Sequence, residues 1–228
     1  MSEQRPPASP TQHHVGASSP RYGRYVGAVA IVLLALIAIN TLLTTPNGST
    51  GVAPGKPLPP FAVPLATGAL SGDANTATRP NEGPAGRVPA CSVRGPEIVN
   101  ICALYEHGPV VLVLFANGDA CPRTLDTLAQ ALPAFPGVQA TAVAVRGNRG
   151  ELRRLVAAHG WPFPVGWDRD GALVNLYRDA VCPQLTFAYP GGAAQGRALL
   201  RAPTLAALRA RLSLLVSQSR ARGWRPPA

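Results

Sequence analysis

Four side chains in this 228-residue chain can do thiol chemistry: Cys91, Cys102, Cys121 and Cys182. A thiol acts as a nucleophile, redox centre or metal ligand only as its thiolate. Cys121 stands in the run Cys121-Pro122-Arg123-Thr124, and Pro122 suits the first position of a helix, where its missing N–H costs nothing. A thiol at a helix N-terminus is shifted towards thiolate by the helix dipole, and Arg123 acts in the same sense while Asp119 opposes it. Cys91 and Cys102 flank Gly95-Pro96, and a bridge between them would close a short loop worth about 2–3 kcal/mol in the chain-entropy model. Zinc normally takes four ligands with tighter pair spacing, and no histidine pair stands nearby. A structural bridge is therefore the expectation for Cys91 and Cys102, with a redox pair as the competing reading. Cys182 is followed directly by Pro183. An even number of cysteines permits disulfides, but four allow three pairings and the sequence alone does not choose.

The elements that must position these groups are legible from pattern. Val110 to Phe115 is an unbroken Val/Leu-rich run, which suits a strand covered on both faces. Asn117-Gly118-Asp119 is a turn, and Leu125, Leu128 and Leu132 then recur at helical spacing. Val138 to Val145 reads as a second parallel core strand. Glu151 to His159 reads as a helix ended by Gly160, with His159 suited to its negative end. A short strand over Phe163 to Gly166, a turn over Trp167 to Gly171 and a short helix over Ala172 to Tyr177 follow. Thr186 to Tyr189 alternates as a strand, Pro190-Gly191-Gly192 is a hairpin turn, and Gly196 to Leu200 pairs back. Pro203-Thr204 opens a last helix with Leu205, Leu208, Leu212 and Leu215 as its buried stripe. Pro96 to His107 is read as a helix before the central strand. Leu65 to Pro89 holds many turn-formers and is read as a mobile loop.

Composition bounds the rest. The chain is 46% hydrophobic and 14% charged, with 25 Pro and 23 Gly, so long irregular connections are expected outside the core. Net charge is +10, and six arginines with no acid lie from Arg201 onward. No nucleic-acid motif accompanies this charge, so nucleic acid is not an expected partner. Tyr25 to Thr44 (YVGAVAIVLLALIAINTLLT) is uncharged, and no charge occurs between Arg24 and Lys56. About twenty such residues cross the hydrocarbon core as a helix. A cleaved signal peptide has a shorter apolar core, about 7–15 residues, and a small-x-small site. An uncleaved single-pass anchor is favoured. Arg21 and Arg24 place the N-terminus in the cytoplasm and the remainder outside the cell membrane, where disulfides persist. The expected organisation is a disordered cytoplasmic tail over 1–24, a transmembrane helix over 25–44, a linker over 45–56, a redox domain over 57–218 and a basic tail over 219–228. Trp224 in that tail has no assigned role beyond a membrane-interface option. His13-His14 are read as solvated, and no metal or cofactor is expected.

Three stretches together resemble a known superfamily. Val110 to Leu132 is similar to the active-site strand–loop–helix of thioredoxin-like proteins. Val181 to Phe187 resembles their cis-proline strand, "V-x-x-x-P-T-x-F", with Pro183 as the cis-proline. Gly55 to Phe61 resembles the opening "G-x-x-x-P-x-F" of redoxin domains. The resemblance spans roughly residues 55 to 216 and points to membrane-anchored thiol–disulfide oxidoreductases and the redoxin branch. It implies an α/β thioredoxin-like sandwich, a central mixed sheet with helices on both faces. Aligned with the family's C-x-x-C, Cys121 is the first cysteine and Thr124 replaces the second. The residue before the cis-proline packs on the active-site sulfur, and here it is Cys182. The resemblance therefore implies that Cys121 attacks a disulfide or peroxide and Cys182 resolves the product. This reading requires the two sites to meet and the sulfur to be reachable from solvent. Substrates would be protein thiols and disulfides; the electron donor is not identified. Two alternatives stand beside it. A peroxidase of the peroxiredoxin kind has Gly118 where the threonine of "T-x-x-C-P" belongs and Gln184 near the place of its arginine. A non-catalytic binding module would hold an extended peptide near Pro183 by strand addition.

Overall fold

The computed structural model describes residues 20–44, 50–83, 86–116, 121–178 and 182–226, and within the first helix the side chains of 23–38. The expectations for His13-His14, the Asn117-Gly118-Asp119 turn, the effect of Asp119 and most of the N-terminal tail lie outside the described residues. The chain divides into two compact units, Met1–Pro46 and Asn47–Ala228.

The first unit holds α1 (Pro20–Thr44), 25 residues long. Its described large apolar side chains, from Tyr25 to Ile37, are each more than half exposed. Among the described residues no helix is long and apolar enough to cross a membrane. Within α1 the described side chains cover only 23–38.

The second unit is built on a mixed sheet. Val110–Phe115 forms β3, Gln139–Val145 forms β4 and Val165–Asp168 forms β5, all parallel; β6 (Gln184–Ala188) runs antiparallel to β3. The order across the sheet is β5-β4-β3-β6. The unbroken apolar run of β3 serves two cores. Val111, Val113 and Phe115 pack on one face with Leu125 and Leu128 of α3 (Cys121–Ala131), Leu152 of α4 (Arg149–His159) and Leu208, Leu212 and Leu215 of α6 (Leu205–Ala221). Val110, Leu112 and Leu114 pack on the other with Phe61, Ile101, Leu173 and Tyr177. Full burial at each of these six positions removes any reason to alternate. The same holds for β6, which is buried throughout instead of alternating.

Two further expectations are revised. Pro96 to His107 is not one helix: Ile98–Asn100 forms β2, antiparallel to β1 (Ala62–Pro64), and only Ile101–His107 is helical, as α2. Asn100 ends the strand and caps the helix, its side chain accepting from Cys102 N and Ala103 N. The segment read as a mobile loop is pinned. Glu97 accepts the N–H groups of Ala69 and Leu70, and Arg149 donates to the carbonyls of Leu65, Ala66 and Gly68. Arg153 also donates to Ala66 and Gly68, and buried Asn75 donates to Val88 O. Turn residues there reflect irregular backbone whose polar groups are satisfied by distant side chains.

At the margins, the folded unit takes in more chain than expected. Val52 is buried and Gly55 N donates to Ala194 O, so the end of the linker belongs to the domain. At the other end α6 continues to Ala221, Ser219 is buried, and half-buried Trp224 lies beside Gly108. Leu205 is half-buried, so the expected stripe holds on Leu208, Leu212 and Leu215. Short Ala172–Leu176 is α5. The expected strand near Phe163 is shifted to Val165–Asp168, taking two residues from the expected turn.

Candidate active site

The topology dictates where the thiols meet. β3 and β6 are antiparallel with Leu114 opposite Gln184, so the residues leaving β3 lie beside those entering β6. Ala116 follows β3 and Cys182 precedes β6. Ala116 N–H donates to Cys182 Sγ at 3.2 Å, and Ala116 O lies 3.7 Å from the same sulfur. The chain then returns as α3, whose first residue is Cys121. Cys121 and Cys182, 61 residues apart in sequence, are joined in a disulfide with Cα atoms 6.0 Å apart. That separation is ordinary for a disulfide, about 4.4–6.8 Å. The peptide bond between Cys182 and Pro183 is cis.

The two cysteines differ in burial. Cys121 is 2% exposed, within the apolar core that also holds Phe115, Leu125, Trp161 and Leu185. Cys182 is only partly buried and packs against the edge of this core. The solvent access that the sequence reading asks of Cys121 is not met: Cys121 is sealed in apolar packing, and of the pair only Cys182 is partly exposed. Arg123 is exposed on α3. Thr124, in the place of a second C-x-x-C cysteine, is buried at 1%, and its hydroxyl has no hydrogen-bond partner among the described residues. Gln184, near the expected place of a peroxidase arginine, is fully buried and donates through Nε2 to Tyr177 O.

Cys91 and Cys102 form the second disulfide, with Cα atoms 5.3 Å apart. It closes the loop leading to α2. The side chain of Asn100 also donates to Ala90 O and Val93 O, and Arg94 pairs with Glu106 across the loop at 2.7 Å.

Sequence reading missed a polar network behind α3. Trp161 Nε1 donates to Asp126 Oδ1 at 2.8 Å, and His159 Nδ1 meets the same oxygen at 2.7 Å. His159 stacks on Trp161 with ring centroids 4.9 Å apart, and Trp161 meets Phe115 edge-on at 6.4 Å. His159 therefore pairs with Asp126 of α3. The C-terminal end of α4 is closed by left-handed Gly160, whose N–H donates to Val156 O.

Asp168, at the end of β5, is fully buried. Its carboxylate accepts from Gly171 N, Ala172 N and Leu173 N at the start of α5. Burial pushes this carboxyl up from 3.8 to about 6; the Leu173 N–H opposes the rise and neighbouring Asp170 adds to it. Burial likewise pushes the Tyr177 hydroxyl, which donates to Pro59 O, well above its ordinary value. Both groups satisfy backbone on the far side of the sheet from α3. Among the described residues no cluster of His, Cys, Asp or Glu is placed to hold a metal ion.

No family model matches the chain, and no curated protein matches it by sequence. Solved structures do match by shape. A proposed thiol:disulfide interchange protein DsbE from Chlorobium tepidum is 17% identical with a TM-score of 0.54, covering 74% of this chain and 98% of its own. A proposed protein disulfide isomerase from Bacteroides thetaiotaomicron is 13% identical at a TM-score of 0.55, covering 77% and 98%. The thioredoxin domain of a thiol-disulfide oxidoreductase from Bacteroides vulgatus is 12% identical at 0.52, covering 72% and 99%. The chain has the thioredoxin-like fold, with its central mixed sheet.

Proposed function

We propose that this protein performs thiol–disulfide exchange on protein thiols or disulfides, using Cys121 and Cys182 as its redox pair. One observation carries the reading: two sequence-distant cysteines bond at a helix N-terminus, and one of the two is partly exposed. The similar shapes include proteins named for disulfide chemistry, which supports the reading by analogy of fold. Thr124 supplies no thiol, so the pair bridges α3 to the segment before β6 instead of lying within one helix turn. The peroxidase alternative has an amide at Gln184 where a charged donor would stand. The binding-module alternative needs a free strand edge near Pro183. Leu185 and Leu199 already exchange both backbone hydrogen bonds at 2.9 Å on the outer side of β6.

The test uses the full chain in mild detergent. Catalysed reduction of insulin by dithiothreitol, or oxidation of a dithiol peptide by the disulfide form, is expected in wild type and lost in Cys121→Ser and Cys182→Ser. Exchange in neither direction rejects the proposal, and consumption of hydrogen peroxide in its place selects the peroxidase.

The same proposal includes a single-pass anchor over 25–44, with the N-terminus cytoplasmic and the redox domain outside the cell membrane. Support comes from the uncharged apolar run over 25–44 in the sequence, the exposure of its described apolar side chains and Arg24 beside them. Retention of the chain in membranes after alkaline washing is expected. Release into the wash rejects the anchor and leaves the redox reading standing.

A further inference from the structure

We infer that Cys182, not Cys121, is the sulfur that a partner thiol attacks, and that Cys121 is the leaving and then the resolving sulfur. The inference rests on the redox reading above and reverses the roles that the C-x-x-C alignment assigns. Thiol–disulfide exchange is a displacement at one sulfur, and its rate depends on which sulfur is reached and on how well the other leaves. Cys121 is 2% exposed inside a core shared with Phe115, Leu125 and Leu185, so a macromolecular thiol cannot reach it. Cys182 stands at the margin of that core and is partly open. The leaving side favours the same direction. Cys121 is the first residue of α3, where the helix dipole stabilises a departing thiolate.

The step balances. A thiolate of the partner gives its electron pair to Cys182 Sγ, the Cys182–Cys121 bond breaks, and Cys121 leaves as a thiolate. The products are a mixed disulfide on Cys182 and a two-electron exchange half complete. Cys121 thiolate then attacks Cys182 Sγ and expels the partner, or a second thiol attacks the mixed disulfide, releases Cys182 as thiolate and leaves the pair reduced. Ala116 serves Cys182 in both protonation states. Its N–H, at 3.2 Å, donates to the thiolate, and its carbonyl oxygen, at 3.7 Å, accepts the S–H of the thiol. By microscopic reversibility the reduced protein attacks a disulfide through Cys182, with that N–H holding the nucleophile.

Brief treatment of the oxidised full chain with reduced glutathione, acid quenching, alkylation and peptide mass spectrometry reads the order directly. Glutathione on Cys182 with the alkyl label on Cys121 is expected, in excess over the converse by about tenfold or more. Glutathione on Cys121, or on both alike, overturns the inference and leaves the redox reading intact. An unreacted Cys121–Cys182 bridge overturns both. A second measurement uses the reduced single variants with an aromatic disulfide, their folding checked by circular dichroism. Cys121→Ser is expected to react about tenfold faster than Cys182→Ser, and equal rates or the reverse order overturn the assignment.

Discussion

Trp161 gives its indole N–H to Asp126 at 2.8 Å, tying the helix that begins at Cys121 to the segment leading into β5. Trp161 is 7% exposed, so its N–H has no easy replacement partner in water. Asp126→Ala is expected to lower stability by about 1–3 kcal/mol, the cost of a buried donor left unpaired. Asp126→Asn, which keeps an acceptor oxygen, is expected to lose less. Urea unfolding followed by tryptophan fluorescence measures both, and equal stability of Asp126→Ala and wild type would show the bond to be immaterial.

The raised carboxyl of Asp168 makes stability depend on pH. The folded state holds this proton up to about pH 6, whereas the unfolded chain releases it near 3.8. Between those values the folded state binds more protons, so stability falls as pH rises, and the full penalty is present above about pH 6. Asp168→Asn is expected to remove this slope, so its stability relative to wild type should rise from pH 4 to pH 6. A difference that stays flat over that range contradicts the expectation.

Thr124 carries a buried hydroxyl without a partner among the described residues. Thr124→Val keeps the shape and removes the desolvation penalty. A gain of roughly 1 kcal/mol is expected, with the exchange rate unchanged. A loss of stability in chemical denaturation would indicate that the hydroxyl is satisfied.

Replacing Cys91 and Cys102 together by Ala is expected to cost about 2–3 kcal/mol through the freed unfolded chain. Insulin reduction per folded molecule is expected to stay at the wild-type level. A parallel loss of activity at temperatures well below unfolding would make that bridge part of the redox machinery.

The framework of the site was legible because each of its parts announces itself locally. The six apolar residues of β3, the Cys121-Pro122 helix start and the Cys182-Pro183 junction before β6 are short-range signals, and their matches in the structure are close. What escaped depends on partners far along the chain. Nothing near Glu97, Arg149 or Arg153 reveals that they clamp residues 65–70, because side chain to carbonyl bonds leave no periodicity. Asp126 and His159 are ordinary polar helix residues until the fold brings the end of α4 to the side chain of Asp126. β2 was lost inside an expected helix because a three-residue strand is too short to show a period of two. The unequal burial of Cys121 and Cys182 is a matter of depth, and residue type does not encode depth.

Asn100 uses both amide hydrogens and its oxygen: Nδ2 reaches Ala90 O and Val93 O, while Oδ1 takes Cys102 N and Ala103 N. One uncharged side chain thus brackets the backbone on either side of Cys91 and grips the backbone of Cys102. The backbones that carry Cys91 and Cys102 are therefore tied together by bonds that do not pass through sulfur.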